Sequence, residues 1–284
     1  MSKIKIGSTT LDFSSHIYLM GILNVTPDSF SDGGSFQTVD AAVHHAKNMI
    51  RNGAAIIDIG GESTRPGAKE VSIEEELQRV LPVIKKLAQE TTIPISIDTS
   101  KAEVAKQALN AGVSMVNDIT ALQGDTKMAE VISEYDAPLC LMHMKGTPKT
   151  MQKNPTYGDI IQEITTFLQK QITYATQQGI SQDKIIIDPG IGFGKRTGQG
   201  IEDNCEILYR LTELQTLNCP ILVGASRKTF LGNITSSPLP VTDRLEGSLA
   251  AATIAAYNGA NIIRSHDVKE TRRCLDIVEC VLKH

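Results

Sequence analysis

The sequence predicts an α/β fold: a (β/α)8 barrel of the TIM type, a parallel eight-stranded barrel surrounded by helices, in one domain spanning residues 1–284. Two observations predict it. Eight short apolar runs recur along the chain, each followed at once by polar residues or glycine, and segments of helical period lie between them. Continuous apolar runs suit strands buried on both faces. Alternation with helices gives a parallel sheet with right-handed crossovers, and eight units close a barrel.

The runs, in order, are IYLMGILN, AAIIDIGG, IPISIDTS, SMVNDIT, PLCLMHM, KIIIDPG, PILVGAS and NIIRSHD. Between them, single apolar faces are marked by Val39, Val43, Ala46 and Ile50, then by Ile73, Leu77, Leu81 and Ile84. Ile161, Ile164, Leu168 and Ile172 mark another, and Ile207, Leu211 and Leu214 a further one. Ser72 with Glu75, Ser100 with Glu103 and Asp267 with Glu270 have the spacing of a capping box, and Gly112 and Gly179 stand where helices should stop. An open doubly wound sheet is the competing architecture, but GIGFG after Asp188 fails the dinucleotide fingerprint because Lys195 stands where a glycine or alanine is needed. The same stretch fails as a P-loop, with Pro189 at the first glycine position and Arg196 at the Ser/Thr position.

Composition narrows the function. Lys and Arg number 28 against 32 Asp and Glu, a formal charge of −4, which argues against a nucleic-acid-binding surface. The N-terminus lacks a long apolar segment, and no run is long enough to span a bilayer, so the expectation is a cytoplasmic protein with no membrane partner. Five cysteines without a C-x-x-C pair suggest neither a disulfide framework nor a zinc site, and are read as reduced.

In a parallel barrel the C-terminal strand ends converge on one rim. Here they supply Asn24, Asp58 with Glu62, Asp98, Asn117 with Asp118, His143, Asp188, Lys228, and Arg264 with His266. Zinc spacing and a G-x-S-x-G elbow are both missing, which disfavours metal-hydrolase and serine-hydrolase chemistry. Asp98, Asn117, Asp188 and Lys228 offer the acceptors and donors that a flat heterocycle with an amide edge and an exocyclic amine requires. Arg65, Arg264 and His266 form a cationic group suited to a phosphate-bearing leaving group. Plainer roles compete: Asp58 and Asp118 as loop ties, His143 as a satisfied rim histidine, Lys228 as a solvated helix-start lysine.

The stretches GILNVTPDSFSDGG, DIGGESTRPGA, SIDTSK, NDIT, DPGIGFGK, VGASRKTF and IRSHDV resemble, in order and spacing, the signature segments of the dihydropteroate synthase family, pterin-binding barrels, over essentially the whole chain. The resemblance implies an enzyme, a transferase that condenses hydroxymethyl-dihydropterin diphosphate with para-aminobenzoate, releasing pyrophosphate, in folate biosynthesis. It implies catalytic roles for Asp98, Lys228, Asp32 and Arg65, and pterin contacts from Asp98, Asn117, Asp188, Lys228, Arg264, Met142 and Gly224. The aminobenzoate site it implies is Thr64, Arg65, Pro66, Phe30, Phe193, Ser226, Lys228 and Thr229. Asn24, Thr64, Arg264 and His266 would hold the diphosphate, Asn24 also its Mg2+ cofactor. Residues 25–34 and 63–68 would be mobile covers. Sulfonamides are the implied inhibitors and a homodimer the implied assembly, with the Ala-rich helix at 249–257 as a contributor or simply as barrel-facing core. Thr229 stands where many relatives carry Ser, which keeps the hydroxyl. A corrinoid-dependent pterin methyltransferase barrel and a non-catalytic pterin-binding paralogue are the alternatives.

Overall fold

The computed structural model describes residues 3–26, 35–63, 70–196, 202–234 and 237–283, and all eight apolar runs in it are strands. A short hairpin precedes them, β1 (Lys3–Ile6) and β2 (Thr9–Asp12). The barrel strands are β3 (Tyr18–Asn24), β4 (Ile56–Gly60), β5 (Ile95–Asp98), β6 (Met115–Asp118), β7 (Leu139–Met142), β8 (Ile185–Asp188), β9 (Leu222–Val223) and β10 (Ile262–Ser265). Their order is β8-β7-β6-β5-β4-β3-β10-β9. A parallel bridge from Ile187 to Ile221 joins the two edges and completes the ring.

Helices follow the strands as the alternation requires. They are α1 (Ser35–Arg51), α2 (Ile73–Glu90), α3 (Ala102–Asn110), α4 (Met128–Glu134), α5 (Ile160–Gln177), α6 (Glu202–Tyr209), α7 (Thr229–Asn233), α8 (Leu245–Tyr257) and α9 (Val268–Leu282). Ser72 caps α2 as its spacing predicts, its Oγ accepting the Glu75 N–H at 3.2 Å. The other two boxes do not form. The cap of α3 is Lys101, and Asp125 reaches across to accept the Ala102 N–H at 2.9 Å. Asp267 does stand at the cap of α9, but its carboxylate is taken by Arg227, a charged partner that outcompetes a neutral backbone donor. Gly112 and Gly179 end their helices with φ of +112° and +90°, the left-handed backbone that a side chain resists.

Two periodicities are displaced. On α2 the buried side chains are Glu76, Val80, Val83, Ile84 and Leu87, so the inner face is rotated to take in a carboxylate. Leu211 and Leu214 are buried, but on a 3-10 turn (Leu211–Leu217) that follows the short α6.

The side-chain period of two sorts each strand. Outward residues such as Leu19, Ile57, Ile97, Leu141 and Ile187 pack under the helices in the main core. Inward residues Met20, Ile56, Met115, Cys140, Ile186, Leu222 and Ile262 fill the lower barrel, where Ile4, Ile6 and Leu11 of the hairpin join them as a plug. That hairpin is an addition to the predicted elements. On α8, Ala251, Ala252, Ala255 and Ala256 are buried against the barrel, whereas Ile254 and Tyr257 face out. Among the described residues no helix is long and apolar enough to cross a membrane. All five cysteines are free.

Candidate functional site

Register decides which strand-end residues meet. Asn24 lies opposite Gly60, Gly60 opposite Asp98, Asp98 opposite Asn117, and Met142 opposite Asp188, so these residues share the inward row at the upper end of the barrel. Glycine at position 60 leaves that corner open: a Cβ there would stand 3.7 Å from Asn24 Oδ1 and 3.8 Å from Asp98 Oδ2.

Arg264 is the centre of the polar network. Its Nε donates to Asp58 Oδ2 at 2.6 Å and one terminal nitrogen donates to Asp98 Oδ2 at 2.8 Å, while Asn117 Nδ2 donates to the same Asp58 oxygen at 3.0 Å. Asp58 is fully buried, so the reading of it as a loop tie is corrected: it holds Arg264 and Asn117 in place from one row below the rim. Asp118 is a loop tie, its two oxygens accepting the N–H groups of Thr120 and Leu122 at 2.8 and 2.7 Å.

Lys228 caps the short α7, which Thr229 opens, and its ammonium lies 3.8 Å from the centre of the Phe193 ring. It is therefore held at the rim, not solvated. Phe193 packs with Ile119, Met142 and Met151 as an apolar wall formed by the ends of β6, β7 and β8 and the loops that follow them. Gly224 lies against the stem of Arg264, where a Cβ would be 3.6 Å from the Arg264 Cβ. Ser226 Oγ is 3.0 Å from His266 Nδ1 and accepts the His266 N–H at 3.2 Å. His143 is buried, with Nδ1 2.8 Å from Lys195 Nζ and its ring edge-on to Phe167, which places it beneath the rim as a structural histidine.

Burial and neighbours set the charges. Burial pushes the Asp98 carboxyl up to about 7 against the pull of Arg264, with Asp58 and Glu76 adding to the rise. Burial also raises Asp188, opposed by the Gly190 N–H and by Lys228, Lys195 and Arg264. Lys228 is lowered to about 8 by burial and Arg264, against Asp188 and Asp98. His266 is lowered to about 3 by burial, then by Arg264 and Arg227, which favours the neutral imidazole in a residue that the sequence groups with Arg65 and Arg264 as cationic. Arg264 keeps its charge because Asp58 and Asp98 outweigh the burial that works against it.

Several contributors lie in the signature segments but have no role in the sequence reading. Lys101, from SIDTSK, donates to Glu62 Oε2 at 2.6 Å and to Glu76 Oε2 at 2.5 Å. Glu62 in turn accepts the Val71 N–H at 3.0 Å, so this cluster brackets residues 64–69. Arg227 has a φ of +58° and is held by Asp267 at 3.1 Å and by Ser248, whose Oγ accepts its N–H at 2.9 Å. Like-signed spacing offered no hint of these partners; only the unassigned charges in S-R-K and S-H-D could have prompted a search. Phe30, Asp32, Thr64, Arg65 and Pro66 lie outside the described residues.

Among the described residues no group of three or more His, Cys, Asp or Glu side chains could hold a metal ion. At the rim the Asn24 amide oxygen stands beside an open corner, a single neutral oxygen donor of the kind a mostly hydrated divalent cation accepts. Taken together, the rim offers two buried carboxylates, an amide, an ammonium and a guanidinium to a planar nitrogen heterocycle, next to an apolar wall.

The family described as "Pterin binding enzyme" matches residues 20–266. The dihydropteroate synthase of Escherichia coli (strain K12) is 50% identical over 274 residues, covering 96% of this chain and 94% of its own. A solved Yersinia pestis dihydropteroate synthase with a sulfonamide drug complex superposes with a TM-score of 0.92 at 46% identity, covering 99% of this chain and 100% of that one. A Xanthomonas albilineans dihydropteroate synthase with 4-aminobenzoic acid gives 0.91 at 41% identity, covering 100% and 99%.

Proposed function

We infer, from the premise that this chain belongs to the dihydropteroate synthases of the pterin binding enzyme family, that its barrel rim divides into a deep pterin subsite, an anion subsite and an outer aminobenzoate subsite. The reaction condenses hydroxymethyl-dihydropterin diphosphate with para-aminobenzoate to dihydropteroate and pyrophosphate. The observation that carries the division is the inward row of Asp98, Asn117 and Asp188 at the strand ends, with Arg264 bonded to Asp98 and Lys228 reaching the rim from the N-cap of α7. A coupled assay for pyrophosphate with the purified chain, magnesium and both substrates tests it, and no release above the protein-free control would reject it.

Asp188 accepts from the amide N–H and exocyclic amine of the pterin, Lys228 reaches the ring carbonyl and its neighbouring nitrogen, and Arg264 covers a ring face as a planar cation. Met142 and Gly224 complete that pocket. Asn24, Arg264, His266 and Thr64 face the diphosphate. Asn24 would help hold a magnesium ion carried by the diphosphate, which when bound would supply charge neutralisation to the departing pyrophosphate. The C–O bond at the pterin methylene breaks with its electron pair going to pyrophosphate. The electron-rich ring shares the positive charge left on carbon, and ionised Asp98 stabilises it. The arylamine nitrogen then attacks and gives up its proton, with no covalent enzyme intermediate. Phe30, Thr64, Arg65, Pro66, Phe193, Ser226 and Thr229 wall the aminobenzoate, and sulfonamides compete there. Asp32 keeps the catalytic role that its motif implies.

Three expected results follow from this division. First, pyrophosphate should be released slowly from pterin diphosphate alone, and Asn24→Ala should suppress that partial reaction, whereas Pro66→Ala should spare it relative to full turnover. Complete absence of cleavage until aminobenzoate is added would mean a concerted displacement. Second, Arg65→Ala should raise the aminobenzoate KM while leaving pterin affinity near normal; equal loss for both substrates in steady-state kinetics would refute the partition. Third, kcat/KM for pterin diphosphate should rise as pH passes about 7, where Asp98 ionises, and fall beyond about 8, where Lys228 loses its proton. A profile flat across both values would remove these two groups from the pterin step.

Two properties complete the reading. The exposed Ile254 and Tyr257 on α8 and Ile277, Val281 and Leu282 on α9 support a homodimer through these two helices, which light scattering of the purified chain tests. Five free thiols support a reducing, cytoplasmic setting.

A further inference from the structure

Lys195 is 0% exposed, an unusual place for an ammonium, and the reaction as described does not use it. Its Nζ lies 2.6 Å from the Pro189 carbonyl, 3.2 Å from the His143 carbonyl and 2.8 Å from His143 Nδ1. Those acceptors match the three N–H donors of an ammonium. The two residues that receive it flank Asp188. The His143 N–H donates to the Asp188 carbonyl at 2.8 Å, and the Gly190 N–H, on the peptide after Pro189, donates to Asp188 Oδ1 at 2.7 Å.

The loop after β8 is built to wrap this lysine. Gly190, Gly192 and Gly194 have φ of +69°, +80° and +62°, and a Cβ at Gly190 would lie 1.9 Å from the His143 carbonyl oxygen and 3.2 Å from Lys195 Nζ. Only a glycine lets the loops after β7 and β8 meet over the ammonium.

We propose that Lys195 is a positioning residue for the pterin step: its buried ammonium pins the backbone on both sides of Asp188 and supplies the internal counter-charge that keeps this carboxylate ionised and aimed at the pterin. The inference rests on the reading of Asp188 as the pterin anchor. Burial, foremost, lowers Lys195 well below the usual lysine range, with Lys228 adding to the fall and Asp188 and Asp203 opposing it; the three acceptors around Nζ favour the protonated form. The partner imidazole is neutral, lowered to about 2 by burial and then by Lys195 and Lys145, which leaves Nδ1 free to accept. Since Lys195 is one of the charges that hold the Asp188 carboxyl down, removing it raises Asp188 further, and binding that needs the carboxylate then fails at a higher pH.

The test is calorimetric binding of pterin diphosphate, with magnesium, to Lys195→Met across a range of pH, beside Asp188→Asn. The folded Lys195→Met variant should bind at least about tenfold more weakly, the change 1.4 kcal/mol produces, with its acid loss of binding moved to higher pH. The aminobenzoate KM at saturating pterin should stay at the wild-type value. If Lys195→Met does not fold, His143→Gln, which removes the imidazole acceptor alone, should show the same two changes in smaller measure. A folded variant with wild-type affinity and wild-type pH dependence overturns the proposal, even if it melts earlier, because a purely structural lysine would do the same. Should Asp188→Asn itself bind normally, the pterin assignment fails; should Asp188→Asn lose binding while Lys195→Met keeps it, only the role of Lys195 fails.

Discussion

Arg264→Met should unfold more easily than the wild type by about 3–5 kcal/mol and lose measurable synthase activity. The size follows from what the arginine neutralises. Asp58 has no exposed side-chain surface and Asp98 has 10%, and Arg264 donates to both, at 2.6 and 2.8 Å. Without the guanidinium, two carboxylates share a water-poor barrel mouth, Asp58 keeping the Asn117 amide as donor. Asp58→Leu combined with Arg264→Met should recover part of the stability, because it removes the fully buried partner as well as the arginine and leaves only Asp98 without the guanidinium. It should not recover activity, since Arg264 also covers the pterin and faces the diphosphate. Thermal or denaturant unfolding of the single and double variants checks the first half, and a pyrophosphate assay the second. A single variant within 1 kcal/mol of wild type, on the order of a surface substitution, would show that the network is not a stabilising pair.

Asp188→Asn should weaken pterin binding by about 2–5 kcal/mol while leaving the fold nearly as stable. One carboxylate oxygen already accepts the Gly190 N–H at 2.7 Å, so an asparagine can keep that bond with its carbonyl oxygen. Its other atom is then an N–H2 turned toward the amide and amine donors of the pterin, a donor facing donors where an acceptor is needed. The loss should appear in calorimetric affinity for pterin diphosphate and for dihydropterin alone, and should not appear in aminobenzoate KM at saturating pterin. Normal affinity would place the pterin elsewhere on the rim.

The barrel was legible in the chain because two periods suffice to specify it. Runs such as AAIIDIGG and KIIIDPG are apolar on both faces, as strands are that face helices outside and the packed barrel interior inside, and eight alternations permit few arrangements other than a ring. That topology alone carries Asp98, Asn117, Asp188 and Arg264 to the same end, which is why strand-end residues distant in sequence could be grouped before any contact was known. The N-terminal hairpin escaped because its strands, KIKI and TTLD, are half polar and buried on one face only, so they form no continuous apolar run of the kind that marks the barrel strands.

What the sequence determined by itself, then, was the order of elements, the row of polar strand ends and the family whose motifs they match. Which polar group serves which was decided only by the tertiary structure. Asp58 was as good a loop tie as Asp118 until burial and register put one against Arg264 and left the other to Thr120 and Leu122. Asp267 was a helix cap until Arg227, 40 residues away, claimed its carboxylate. Lys195 was the residue that spoiled a nucleotide motif until packing closed water away from it and gave it acceptors from two strands' loops. The reason is common to all three. Charge, desolvation and hydrogen-bond partnership depend on distances through space and on the loss of water, and neither is encoded in local spacing.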